Sequence, residues 1–239
     1  MDAYKQCGWN ALENKDMGAP KLDINPQFEK LVVDFWKKHK YESGKIWLLL
    51  KEQGYSVSQR HIQKIFNKHS FRTNRRCRPK QIKYIRYERS MPNELWHTGW
   101  SNCPFTGKQL IAFIDDYRRY IIHAELFEKA TTENMLIAFE KAIIKSTTPL
   151  PILTDNGTQF TPARTEKGLF TRQCDDKGIQ PILGRVYHQT NGTIERWFGT
   201  YKTEFDERFE TLEVFLTFPN EIRIHQGISY KKPIERYFV

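Results

Sequence analysis

Apolar residues recur at helical spacing three times before residue 70 and switch to strand-like spacing after residue 94. Phe28, Leu31, Val32 and Phe35 predict a helix from Pro26 to His39, with Asn25 able to cap it and Pro26 suited to its first position. Ile46, Leu49 and Leu50 predict a second helix from about Glu42 to Gln53, stopped by Gly54. A third is expected to open at Ser56, with Gln59 completing a capping box, and to carry Ile62, Ile65 and Phe66 inward. The short turn Gly54-Tyr55-Ser56 between the second and third helices fits a helix-turn-helix.

Beyond residue 94, Leu95–Ser101, Gln109–Asp115 and Tyr120–Phe127 read as three successive strands, turning at Thr106-Gly107 and at residues 116–119. A helix follows from Thr131 or Thr132 to about Lys145, ended by Pro149 and Pro151. Residues 151–155 form a short apolar strand closed by an acid, a further strand lies near Ile179–Leu183, and a strong helix runs from about Asn191 to Phe205. Three antiparallel strands followed by alternating helices and parallel strands predict an α/β fold with a mixed sheet, preceded by an all-α helix-turn-helix domain. The expected organisation is an extension over 1–22, a helix-turn-helix over 23–70, a basic linker over 71–90 and an α/β core over 91–239.

Charge sharpens this division. Residues 1–90 hold 20 Lys and Arg against 9 Asp and Glu, a net of +11, whereas the remainder holds 18 against 19. From Arg60 to Arg89 there are 11 basic residues and the single acid Glu88, interleaved with Phe66, Phe71, Tyr84 and Tyr87. Such a segment attracts a polyanion, and double-stranded DNA is the expected partner. Arg60, Lys64 and Lys68 on the third helix are candidates for the groove, and Arg72, Arg75, Arg76 and Arg78 for the phosphate backbone. Cys7, Cys77, Cys103 and Cys174 show no paired spacing, which disfavours a disulfide framework or a zinc ribbon. No apolar run is long enough to cross a bilayer, and the amino terminus has no apolar signal core. A cytoplasmic, nucleoid-associated protein is expected, with no membrane partner and no small-molecule substrate.

Two stretches carry candidate chemistry. Leu153-Thr154-Asp155-Asn156-Gly157 places an acid at the end of a parallel strand, the edge at which such sheets bind ligands. Thr190-Asn191-Gly192-Thr193-Ile194-Glu195-Arg196 places a Glu on the first turns of a helix after a Gly-containing loop. Asp155 and Glu195 can share one divalent cation, and hard oxygen ligands suit Mg²⁺ or Mn²⁺.

These two stretches resemble the second and third acidic motifs of the DDE transposases of insertion sequences. That superfamily includes the retroviral integrases and has a ribonuclease-H-like catalytic core. The resemblance spans roughly residues 23–238. It extends to Pro92-Asn93-Glu94-Leu95-Trp96, to Ile114-Asp115-Asp116-Tyr117 with Arg119, and to Arg223, His225 and Gln226 followed by Pro233, Glu235, Arg236 and Tyr237. It implies a DNA-binding protein acting in transposition, DNA integration and recombination on element ends and target, as a homo-oligomer. It also implies chemistry in which two divalent ions, roughly 3.5–4 Å apart, are held by three carboxylates during in-line attack on a phosphodiester. Asp155 and Glu195 take the catalytic and metal-binding roles.

The sequence departs from the family pattern in three places. Gly99, in Leu95-Trp96-His97-Thr98-Gly99-Trp100, stands where the family has its first metal-binding Asp. The Pro usual between the positions of His188 and Gln189 is missing, and Tyr4–Lys21 resembles only the tail of an additional helix-turn-helix. The expectation is a catalytically impaired protein, consistent with a decaying mobile-element gene. Asp116 is a poor substitute ligand. A hairpin turning near Phe105–Gly107 pairs Gly99 near residue 113, which leaves Asp116 roughly 10 Å away and better placed to hold the turn with Arg118 or Arg119. Lys202 shares a helical face with Glu195 and is either a DNA-backbone contact or a solvated lysine. Asn156 and His188 are open between substrate contact and loop structure, and Trp197 and Phe198 are expected in the core.

Two rival functions remain at this stage. One is a non-catalytic DNA-binding protein, such as a repressor of its parent element. The other is a ribonuclease H acting on RNA–DNA hybrids, against which the helix-turn-helix and the Arg223–Tyr237 ending argue.

Overall fold

The computed structural model describes residues 24–71, 88–155, 157–160, 167–184 and 191–236. The chain divides into two compact units, Met1–Ile82 and Lys83–Val239. No helix among the described residues is long and apolar enough to cross a membrane.

In the first unit, α1 (Pro26–His39), α2 (Ser43–Glu52) and α3 (Gln59–Lys68) pack around Val32, Ile46, Leu50, Ile62, Ile65 and Phe66. The Asn25 side chain accepts from Gln27 N at 2.9 Å and starts α1 as the sequence predicts. Gly54 takes a φ of +87°, a value open to glycine without strain, and turns the chain between α2 and α3. The start of α3 corrects the sequence reading. The N-cap is Ser58, whose hydroxyl accepts from His61 N, rather than Ser56. The Trp47 indole N–H donates to Val57 O at 2.8 Å, which holds the segment extended until Ser58 and delays the helix by two residues.

The second unit is a five-stranded sheet in the order β3-β2-β1-β4-β5. Its strands are β1 (Trp96–Asn102), β2 (Gln109–Asp115), β3 (Ile121–Phe127), β4 (Pro151–Thr154) and β5 (Gln180–Leu183). The first three pair antiparallel, and β1, β4 and β5 pair parallel. This is the mixed sheet expected from the sequence, with most strand limits within one residue. Gly107, at φ +72°, closes the β1–β2 hairpin. The register sets Gly99 opposite Ala112, one residue from the expected level.

Alternation along β1 sorts its side chains between two layers. Trp96 joins Ile111, Phe113 and Ile152 beneath α4 (Thr132–Lys145) and α5 (Leu169–Asp176), which contribute Met135, Ala138, Phe139, Ala142, Phe170 and Cys174. Truncating a fully buried ring there, such as Phe139, costs about 3–5 kcal/mol. His97 and Gly99 face the other layer, where α6 (Gly192–Glu204) crosses the sheet. Tyr201 of α6 anchors that side. Its hydroxyl lies 3.2 Å from Cys103 Sγ, and its ring meets Phe105 and Phe215 edge to face and Phe205 at a tilt. The chain ends in α7 (Leu212–Thr217) and short π and 3-10 turns, which the apolar periodicity did not indicate.

Candidate active site at the carboxyl edge of the sheet

Asp155 directly follows β4, and its Oδ1 accepts from Gly157 N at 3.0 Å. This short turn fixes one carboxylate oxygen. The other, Oδ2, faces β1 at Gly99. A Cβ built on Gly99 would stand 3.5 Å from Asp155 Oδ2, 3.7 Å from Ile194 Cγ2 and 3.8 Å from Asn191 Nδ2. Strand β1, the end of β4 and the first turn of α6 therefore converge on a glycine. Glu195 follows Ile194 in that same turn and is exposed. The positive end of the helix dipole favours a carboxylate there.

A buried polar network fastens the start of α6 to the sheet. Asn191 is the N-cap of α6, yet its side chain makes no capping bond. Instead its Nδ2 donates to Thr98 O at 3.1 Å, and its Oδ1 meets His97 Nδ1 at 3.0 Å. His97 Nε2 meets Asp116 Oδ1 at 3.0 Å, so both ring nitrogens face acceptors. Arg119 closes the circuit. Its Nη1 lies 2.6 Å from Asp116 Oδ1 and 2.6 Å from Thr193 Oγ1, also on the first turn of α6. Burial alone would raise the Asp116 carboxyl, but the His97 hydrogen bond, the Arg119 charge and the Arg89 N–H together hold it down at about 2. Asp115 behaves differently. Burial raises it above the usual carboxylate range despite bonds from the Arg118 and Asn93 N–H groups.

The likeness to known proteins bears on this arrangement. Residues 89–189 match the model of the integrase core domain family. The transposase for insertion sequence element IS904 of Lactococcus lactis subsp. lactis (strain IL1403) is 28% identical over 200 residues, which cover 77% of this chain and 76% of that protein. Residues 89–189 thus form an integrase core domain, and the chain resembles the DDE transposases and integrases. Among solved structures, a chain of the simian T-cell lymphotropic virus intasome, determined in complex with PP2A regulatory subunit B56 gamma, has the same fold. Its TM-score is 0.55 at 18% identity, with 87% of this chain and 74% of that chain covered. The HTLV-2 integrase catalytic core domain in complex with magnesium (dimeric form) is 22% identical, covers 62% of this chain and 96% of its own, and has a TM-score of 0.46.

Within this transposase/integrase-like chain, Asp116 is committed to His97 and Arg119. Its N–H pairs with Leu95 O at 2.9 Å, just before β1 and four residues from Gly99. The turn-holding role expected for it is the one the structure gives it. Among the described residues, no group of three or more His, Cys, Asp or Glu side chains is placed to hold a metal ion.

Trp197 and Phe198 are buried, and Lys202 is exposed on α6. On α3, Arg60 and Lys64 project into solvent. Lys68 is exposed as well, but its Nζ lies 2.7 Å from Glu29 Oε2 of α1, and His69 Nε2 lies 2.6 Å from Glu29 Oε1. The hydrogen bonds from Lys68 and His69 lower the Glu29 carboxyl. Lys68 therefore serves a helix–helix contact that its sequence spacing with Arg60 and Lys64 did not disclose. Arg72, Arg75, Arg76, Arg78, Asn156 and His188 lie outside the described residues. The His97–Asn191–Asp116 network was also missed. The only signal for it was the alternation that places His97 on the same face of β1 as Gly99.

Proposed function

We propose that this protein binds duplex DNA through a helix-turn-helix over residues 23–70 and a basic linker over 71–90, and that its strand-transfer core, over 91–239, is catalytically impaired. One observation carries the reading: the position that meets both Asp155 and the Glu195 turn is Gly99, which offers no ligand. Asp155 and Glu195 would be the residues to hold Mg²⁺ or Mn²⁺, whose role in the superfamily is to activate the attacking oxygen and stabilise the leaving one. Two carboxylates do not complete that set. What the chain itself contributes is a preorganised scaffold: Asp155 fixed by Gly157 N, and the Glu195 turn fixed through Asn191 and Thr193.

Its partners are element ends and target DNA, and it assembles there as a homo-oligomer in the cytoplasm, on the nucleoid. The net +11 of residues 1–90 supports the DNA reading. The test is a strand-transfer assay with Mn²⁺ on the element's own ends, run on the wild type beside Gly99→Asp. Near-background wild-type activity with measurable activity for the variant supports the proposal. Strong wild-type activity sinks it. A second reading, a repressor of the parent element, follows from the same glycine, since DNA binding without strand transfer occupies the ends.

A further inference from the structure

On α3 the buried residues Ile62, Ile65 and Phe66 leave an opposite stripe of Arg60, Lys64 and Asn67, all exposed, with Gln63 on its flank. At about 100° per residue, Asn67 lies roughly 20° from Arg60 and roughly 60° from Lys64 around the helix. Arg60 and Lys64 thus precede a neutral amide, Asn67, along one stripe of the helix. A patch that only needed to attract phosphate would gain more from a third cation at that position.

The amide is also oriented. Ser43, buried at the first position of α2, donates its hydroxyl to Gln63 Oε1 at 2.6 Å. That bond turns Gln63 Nε2 outward, and it donates to Asn67 Oδ1 at 3.1 Å. The chain Ser43–Gln63–Asn67 therefore fixes which way the Asn67 amide faces. Oδ1 keeps its second lone pair, and Nδ2 keeps both of its hydrogens among the contacts of the described residues. One acceptor beside one donor, presented on a helix surface next to two cations, complements the N6 donor and N7 acceptor that adenine shows in the major groove. Preorganisation matters because an amide already held in its reading rotamer loses less side-chain freedom on binding.

We infer that Asn67, positioned by Gln63 and Ser43, is a specificity-determining residue that reads an adenine in the major groove. The inference rests on the proposed duplex-DNA reading of this unit. Arg60 precedes Asn67 by seven residues on the same stripe. At 1.5 Å of rise per residue they stand roughly 10 Å apart along the helix, about three base-pair steps. A base read by Arg60 thus falls about three pairs from the adenine.

The experiment selects duplexes from a randomised library with the full-length chain, and repeats the selection with Asn67→Ala, Asn67→Asp, Gln63→Ala and Arg60→Ala. In parallel, binding to one unselected duplex is titrated against salt. The wild type should enrich a motif with one position at which adenine is preferred roughly ten- to a hundredfold. Asn67→Ala should flatten that position alone and leave the salt slope unchanged, which also shows that the unit is folded. Asn67→Asp, which presents only acceptors, should move the preference there toward cytosine. Gln63→Ala should weaken the same position in part, and Arg60→Ala should relax one about three pairs away. An Asn67→Ala selection that returns the wild-type motif overturns the inference, and so does relaxation at a base other than adenine. Salt-dependent wild-type binding without any motif overturns it too, while the DNA-binding reading stands. Absence of duplex binding by the wild type removes both.

Discussion

Gly99 on β1 and Asp155 just past the end of the parallel strand β4 stand side by side, close enough that a Cβ on the glycine would lie 3.5 Å from Asp155 Oδ2. That is ordinary van der Waals contact, so a Cβ at Gly99 is accommodated without displacing the sheet. In Gly99→Asp two carboxylates would share the site. Without a cation their repulsion destabilises the fold, and with one they bind it. Gly99→Asp should melt a few degrees below the wild type in chelator, and Mn²⁺ at about 100 times its Kd should stabilise it by roughly 2.7 kcal/mol. The wild type should respond far less. Calorimetric or fluorescence melts with and without Mn²⁺ decide it, and an equal shift in both proteins would show that the first-strand position adds no ligand.

Asp116 should govern part of the acid stability. Its folded pKa, about 2, lies below its ordinary value of 3.8. The stability it contributes, about 2 kcal/mol at 1.36 kcal/mol per pKa unit, is therefore fully present above pH 4 or so and is lost as pH falls toward 2. Asp115 acts in the opposite sense, because its raised pKa makes its ionised form a cost that fades with acid. Asp116→Asn isolates the first effect. It should lose stability at pH 7, because His97 and Arg119 keep burial but lose their carboxylate partner, and the gap to the wild type should close between pH 4 and 2. Urea unfolding across that range measures the gap. A constant difference would contradict the assigned network.

Most of the fold was legible because the apolar period changes where the architecture changes. The strand pattern predicted β1 to β3, and the Asp155 and Gly192 turns predicted the site edge. Gly99 stands out in the linear motif, and the structure sets it beside Asp155. The His97–Asn191–Asp116 contacts were not legible, because they join residues 19 and 94 positions apart through side chains that each have a plausible local role. The Lys68–Glu29 pair was hidden for the same reason, being a tertiary contact between helices 39 residues apart.

The displaced helix start in the first unit offers a direct comparison. Ser58→Ala removes the hydroxyl that accepts from His61 N and should cost about 1 kcal/mol, as is usual for an N-cap. Ser56→Ala should fall within roughly 0.5 kcal/mol of the wild type, as an exposed substitution away from caps and cores does. Thermal melts of the two variants should differ clearly. The reverse order would return the helix start to Ser56.

The exposed cations of α3 should differ in how they answer to salt. Each Lys or Arg that neutralises a phosphate releases condensed counterion and contributes about −0.9 to the slope of log K against log salt. Lys64 has no acidic partner among the described contacts, so Lys64→Ala should flatten the slope by about that much if it meets phosphate. Lys68 already faces Glu29 at 2.7 Å, so its charge is largely spent within the protein, and Lys68→Ala should change the slope less. Glu29→Gln provides the converse. It frees Lys68 and His69 from their shared carboxylate, and it should tighten binding to an unselected duplex and steepen the salt dependence. Deleting residues 1–90 should remove most of the affinity, since the remainder carries a net charge of −1. Binding titrations from low to moderate salt measure all four proteins. Equal slopes for Lys64→Ala and Lys68→Ala, with no gain from Glu29→Gln, would mean that the Glu29 contact dissolves when DNA is bound and that Lys68 meets phosphate after all.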